Sequence, residues 1–301
     1  MALDRSVLNR VIAVINGKGG VLKTTICTNT AGMLAASGYR VLFVDMDPQG
    51  NAAEDFGYSE SENNDDGRGL AAAWAFGTEP APLQGVRENL DVLVGGSHLE
   101  VAAAGLRQSN GGDWRLKLAH VLEKLAGDYD VILIDCPPGE PVIQQNALAA
   151  AKYVIAPTKA DKSSRAGLFK VTQRFAEILD INPDIDFLGC VIGDIGKAST
   201  KVRRETIEHV TEMFGGDDDV VFKTIIRHSD ATAQRAREEG KLVFELEKQA
   251  KDEPNWWQVV RGEAVGTKAM PGSVSDVAAD LHSVAQEIIE RMSERESEES
   301  R

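Results

Sequence analysis

Lys18, Lys23, Thr24 and Thr25 sit in Asn16-Gly17-Lys18-Gly19-Gly20-Val21-Leu22-Lys23-Thr24-Thr25, a glycine-rich stretch that carries two ammonium groups and two hydroxyls. Glycines at 17, 19 and 20 let backbone N–H groups turn toward a single anion. The chemistry that uses such a set is phosphate binding. Lys23 would reach the β- and γ-phosphates of a nucleotide, and the Thr24 hydroxyl would ligate Mg²⁺. The free amides and positive dipole end of a helix starting near Lys23 would hold phosphate oxygens.

Such a cradle needs a buried strand before it and a helix after it. Val11-Ile-Ala-Val-Ile15 is an unbroken apolar run, which suits a strand covered on both faces. Ile26 to Ser37 reads as a helix of small and apolar residues closed by Gly38. Arg40-Val-Leu-Phe-Val-Asp45 reads as a second buried strand that delivers Asp45 and Asp47 to its C-terminal end, where open α/β sheets keep their ligands. Tyr129-Asp-Val-Ile-Leu-Ile-Asp135 reads as another, with a terminal acid placed to bind Mg²⁺ directly or through water.

The remaining pattern predicts strands at Leu90–Val94, Tyr153–Pro157, Phe187–Ile192 and Val220–Ile226, and helices at Leu70–Phe76, Trp114–Ala126 and Ala166–Leu179. Strands alternating with helices at this spacing imply an α/β fold, a mainly parallel twisted β-sheet with helices on both faces. Acidic Ser59 to Gly69 reads as a surface loop. One domain is expected, with a core at about 11–245. Leu246 to Gly272, with Pro254, Trp256-Trp257 and Pro271, reads as an insertion. Val274–Met292 reads as a final amphipathic helix and Ser293–Arg301 as a disordered acidic tail.

Leu22 breaks the usual G-x-x-x-x-G-K-[ST] pattern, which places glycine directly before the lysine. If Leu22 keeps a positive φ beside the phosphates, it costs roughly 1–2 kcal/mol. If the loop re-forms with the side chain tucked against the core, Leu22 contributes buried apolar area instead. The second is the expectation.

The chain has 301 residues and a net charge of −14, which argues against a uniformly basic surface. Much of the acid is concentrated in 59–66, in 217–219 and after Glu290, so a local basic face remains open. The N-terminus lacks the apolar core of a signal peptide and no run reaches the roughly 20 apolar residues of a membrane span, so a cytoplasmic protein is expected. Cys27, Cys136 and Cys190 are scattered, which argues against a disulfide framework, a zinc site or an iron–sulfur cluster.

The order KGGVLKTT, DMDPQGN and VILIDCPPG resembles the ParA/MinD family of dimerising P-loop ATPases with a deviant Walker A motif. The likeness runs from about Val11 to Val243. It implies ATP and Mg²⁺ as ligands, with Gly17 to Thr25 around the phosphates, and a homodimer that sandwiches two nucleotides. In that resemblance Lys18 crosses to the partner's nucleotide, Asp47 orients the attacking water, and Thr24, Asp47 and Asp135 attend the metal. Asp45 stays open between the metal's surroundings and closure of its strand. The resemblance further implies a ParB-like partner, a nucleoid-associated location and sequence-independent DNA binding. A candidate DNA face is Lys197, Lys201, Arg203 and Arg204 with Lys223, Arg227, Arg235, Arg237 and Lys241. Interleaved Glu205, Glu208, Glu238 and Glu239 leave ordinary solvated helix faces as the other reading. Two further readings stand beside the partition ATPase. One is an ATP-dependent dimerisation scaffold with little hydrolysis, and the other a MinD-like membrane-cycling regulator. The latter needs a basic amphipathic C-terminal helix, whereas this one ends in Glu290-Arg-Met-Ser-Glu-Arg-Glu.

Overall fold

The computed structural model describes residues 3–108, 113–196, 199–252, 261 and 270–299. Eight strands form one sheet: β1 (Val11–Val14), β2 (Val41–Asp45), β3 (Leu83–Arg87), β4 (Leu90–Leu93), β5 (Val131–Asp135), β6 (Tyr153–Thr158), β7 (Asp186–Ile195) and β8 (Ile226–Arg227). Their order is β3-β4-β2-β5-β1-β6-β7-β8, and only the β3–β4 pairing is antiparallel. In the central strands every residue is buried, because alternate side chains enter two different cores. Ile12, Val14, Val41, Phe43 and Leu133 pack on one face, and Ala13, Ile15, Leu42, Val44, Ile132 and Ile134 on the other.

Helices cover both faces. α1 (Lys23–Ala36), α2 (Ala52–Phe56), α9 (Asp230–Glu239), α10 (Val243–Asp252) and α11 (Val274–Glu299) contribute to the first core. α3 (Arg68–Phe76), α4 (His98–Arg107), α5 (Lys117–Glu123) and α6 (Pro141–Ala150) build the second. α7 (Lys162–Ala176) and α8 (Thr200–Met213) flank the β6–β7 side. Parallel strands place the acids of β2 and β5 side by side, with Asp45 in register with Asp135.

Three expectations need correction. The chain from Val220 to Ile226 does not form a full strand: only Ile226–Arg227 pair with β7, with one isolated bridge between Cys190 and Val221. The reason lies in α11. The Glu287 carboxylate accepts the backbone N–H groups of Lys223 (2.9 Å) and Thr224 (3.3 Å), which a strand neighbour would otherwise take. The tail after Met292 is also not disordered through its length, since α11 continues to Glu299. Its acids find bases on the sheet's N-terminal edge, with Glu296 on Arg10 at 2.9 Å and Glu299 on Lys152. Finally, residues 246–252, read as the start of an insertion, continue a helix, α10, that begins at Val243 and packs on α11. Trp256 and Trp257 lie outside the described residues.

Candidate functional site

β1 ends at Val14 and α1 begins at Lys23, so the glycine loop spans the gap at the carboxyl end of the sheet. Asn16 ties the loop's root. Its fully buried amide donates to Pro157 O (2.7 Å) while its Oδ1 accepts the Lys18 N–H (2.9 Å). α7 presses against the same turn: a Cβ on Gly17 would lie 3.1 Å from Gly167 O, and one on Gly167 would lie 2.2 Å from Asn16 Oδ1. Both glycines therefore serve a close backbone approach. Gly20, at φ 71°, has open space beside it and is exposed, as is Gly19. Val21 is buried and anchors the loop from below, while Thr25 lies in the first turn of the helix and its carbonyl accepts Asn29 Nδ2 at 2.9 Å.

Lys23 is buried and donates to Lys18 O across the loop at 2.9 Å. Burial pulls its ammonium below the ordinary lysine range, opposed by the charges of Asp135 and Asp47. A phosphate arriving in the loop would supply the counter-charge this position lacks. Thr24 donates to Asp135 Oδ2 at 2.7 Å, and Asp135 Oδ1 has no hydrogen-bond partner among the described residues. Burial pushes the Asp135 carboxyl up, only partly countered by the Thr24 hydrogen bond.

Asp47 is nearly buried, and its Oδ1 accepts the Gln49 N–H at 3.0 Å. Asp45 turns the chain into this position, since its Oδ1 accepts the Asp47 N–H at 2.9 Å. It is fully buried, which drives its carboxyl well above the usual range. A Cβ on Gly95 would sit 2.5 Å from Asp45 Cγ, so the neighbouring strand end approaches it closely on that side, while Asp45 Oδ2, like Asp135 Oδ1, has no hydrogen-bond partner among the described residues.

An orphaned carboxylate oxygen beside a threonine hydroxyl is an all-oxygen donor set that suits a hard divalent cation. Among the described residues no three His, Cys, Asp or Glu side chains converge as a metal cage. A Mg²⁺ held by Thr24 and Asp135 would thus draw its other ligands from phosphates and water, as that ion commonly does.

Leu22 shows features of both sequence-based outcomes. Its backbone is left-handed, at φ 69° and ψ 17°, yet its side chain packs against the core. Lys18 reaches neither the loop's centre nor open solvent: its Nζ lies on Asp161 and Ser164 at the start of α7. Sequence reading missed both partners. Asp161-Lys-Ser-Ser164 does carry a local signal, because Asp161 caps α7 by accepting the Ser164 N–H at 2.9 Å.

The basic face is mostly spoken for. Arg227 is forked onto Asp280 (2.6 Å) and Asp276 (2.7 Å) of α11, Arg237 pairs with Asp55 at 3.6 Å, and Arg235 with Glu239. Lys201 and Arg204 have loose i,i+4 partners in Glu205 (3.7 Å) and Glu208 (3.6 Å). Lys241 pairs with Glu239 at 3.0 Å. Arg203 and Lys223 are exposed, with no carboxylate at ion-pair distance among the described residues. Lys197 lies outside the described residues.

Residues 9–187 match the family model described as AAA domain. The sporulation initiation inhibitor protein Soj of Bacillus subtilis is 34% identical over 221 residues, 73% of this chain and 84% of Soj. The chromosome partitioning protein ParA of Myxococcus xanthus is 32% identical over 225 residues, 73% of this chain and 75% of ParA. The chain belongs to the ParA/MinD superfamily. Among solved structures, cobyrinic acid a,c-diamide synthase from Mycobacterium smegmatis, with bound ATP analog and magnesium, superposes with a TM-score of 0.64 at 30% identity. That likeness covers 77% of this chain and 92% of the synthase. The phosphate loop, the strand-end acids and Lys18 stand together at the carboxyl end of the sheet. No helix among the described residues is long and apolar enough to cross a membrane.

Proposed function

We propose that this chain is an ATP-hydrolysing, dimerising switch of the partition type, which binds DNA without sequence preference when loaded with ATP and is discharged by a ParB-like partner. The observation that carries the reading is the pair of lysines in one loop. Lys23 is buried in the cradle, and Lys18 stands at its rim, tied to the half-exposed carboxylate of Asp161 and to the Ser164 hydroxyl. Two ammonium groups five positions apart, one turned inward and one outward, suit one nucleotide in the protomer and another across an interface.

In this reading Lys23 and the loop amides bind the β- and γ-phosphates, and Thr24 with Asp135 holds Mg²⁺. The ion would neutralise charge on the phosphates as the γ-phosphoryl leaves ADP for water. Asp47 orients that water, and Asp45 keeps Asp47 in place through its backbone N–H. Sequence-independent DNA binding falls to the exposed start of α8, with Lys201, Arg203 and Arg204, and to Lys223. Arg227 leaves that set because α11 already neutralises it. The site of action would be the nucleoid in the cytoplasm.

The test is ATP turnover with and without DNA, beside binding of a fluorescent ATP analogue to wild type and Lys23→Ala. Loss of binding in Lys23→Ala and measurable turnover in wild type support the reading. Unchanged binding in Lys23→Ala would show that the loop is not the phosphate site. Tight binding without turnover in any mixture would favour a dimerisation scaffold, a reading prompted by the left-handed Leu22.

A further inference from the structure

Leu22 occupies a loop position whose backbone is glycine-like, and left-handed torsions are disfavoured for any residue with a branched side chain. Its side chain is half-buried against the core that includes Ile226 of β8. The space it fills belongs to another residue. A Cβ built on Gly193 of β7 would lie 2.5 Å from Leu22 Cδ1 and 3.6 Å from its Cγ, with Ile226 Cβ at 3.8 Å. Gly193 does not adopt a left-handed φ, so its backbone would accept any L-residue. A side chain at 193 would meet the tip of Leu22.

We infer that Leu22 and Gly193 are a size-complementary pair that seats the phosphate loop on β7. Leu22 is thereby a positioning residue for the loop's amides. The glycine missing before Lys23 has its counterpart on the facing strand, and the leucine methyl lies against β7 and β8. The contact pins residue 22 directly before the first turn of α1, whose amides begin at Lys23. Held this way, the loop keeps its shape before any nucleotide arrives, so less ordering remains to be done on binding. This inference rests on the nucleotide-binding reading for its functional meaning, whereas the contact itself is independent of it.

A double-mutant cycle tests the pair. Four full-length proteins are compared: wild type, Leu22→Gly, Gly193→Ala and the double variant. Each is titrated with a fluorescent ATP analogue in Mg²⁺ and melted without nucleotide. Gly193→Ala should weaken binding by about threefold and lower the melting temperature, because the tip of Leu22 must turn away from the new methyl and the loop loses its seat. Leu22→Gly should weaken binding by a similar factor, because it frees the loop, and Gly193→Ala on that background should cost nothing further. Effects that simply add, or a Gly193→Ala protein that binds and melts like wild type, would overturn the inference. If wild type binds no nucleotide, the functional reading falls by itself. The melts still judge the pair, which requires the double variant to melt no lower than Leu22→Gly alone.

Discussion

Lys18 and Asp161, 143 positions apart, form a two-pronged contact within one chain, with Nζ 2.7 Å from Oδ1 and 2.8 Å from Oδ2. Ser164 Oγ adds a third oxygen at 3.2 Å. Partial burial pushes the Asp161 carboxyl up, but hydrogen bonds from Lys18, Ser163 and Ser164 outweigh it and hold the group well below its ordinary range. The lysine assigned to the partner's nucleotide is thus held at home, and crossing an interface requires leaving Asp161.

Weakening that hold should favour the dimer. Asp161→Asn keeps a side chain able to cap α7 and removes the charge. Half-exposed ion pairs contribute about 0–1 kcal/mol, so with one pair released in each protomer ATP-dependent dimerisation should tighten by up to about thirtyfold. Sedimentation of the variant with ATP measures it, and a weaker dimer would mean that Asp161 serves the interface rather than competing with it.

At position 22, which caps α1 in a left-handed conformation, glycine should be tolerated better than alanine. Leu22→Ala keeps the left-handed strain and loses buried area, for a cost of about 1–3 kcal/mol. Leu22→Gly loses the same area but relieves roughly 1 kcal/mol of strain. Chemical denaturation should therefore rank wild type first, glycine second and alanine last. Alanine above glycine would show that the backbone strain counts for little.

Arg203 and Arg227 should separate DNA binding from stability. Arg203→Ala should weaken non-specific DNA binding and lower its salt dependence by about one counterion while leaving the melting point unchanged. Arg227→Ala removes the guanidinium from Asp280, which is largely buried, so it should destabilise the fold by about 1–3 kcal/mol. Equal effects of the two changes on DNA binding, with no loss of stability in either, would restore Arg227 to the DNA face.

His228 links the start of α9 to the end of β7. Its Nδ1 meets Asp194, which also pairs with Lys159, and its Nε2 lies 3.2 Å from Asp230. The Asp194 hydrogen bond and charge raise the imidazole above its ordinary value, near 6.5. A raised folded-state value means stability that is fully present below about pH 6.5 and lost as pH rises through the folded value. The melting-point gap between wild type and His228→Asn should therefore shrink from pH 5.5 to roughly pH 8.5. A constant gap would show that the ring's charge contributes nothing.

The chemistry-bearing loop and its three acids were legible because each rides on a strand buried on both faces, and such strands read as unbroken apolar runs. β3 was not legible, since Leu83-Gln-Gly-Val-Arg87 is an edge strand with two exposed residues, turned into β4 by Asn89 at φ 61°. The helical end of α11 and the broken strand at 220–226 depended on charges far away in sequence, Arg10 and Lys152 in one case and Glu287 in the other. The basic stripe misled for the same reason. A run of arginines shows its own charge, whereas Asp276 and Asp280 reach Arg227 only once α11 is docked.

The central claim, that nucleotide state drives association, is tested most directly with Asp47→Ala, which should bind ATP and lose only the orientation of the attacking water. Light scattering of this variant with ATP and Mg²⁺ should give the mass of a dimer that persists, and with ADP the mass of a monomer. A single mass that is the same with ATP, with ADP and without nucleotide would contradict the account.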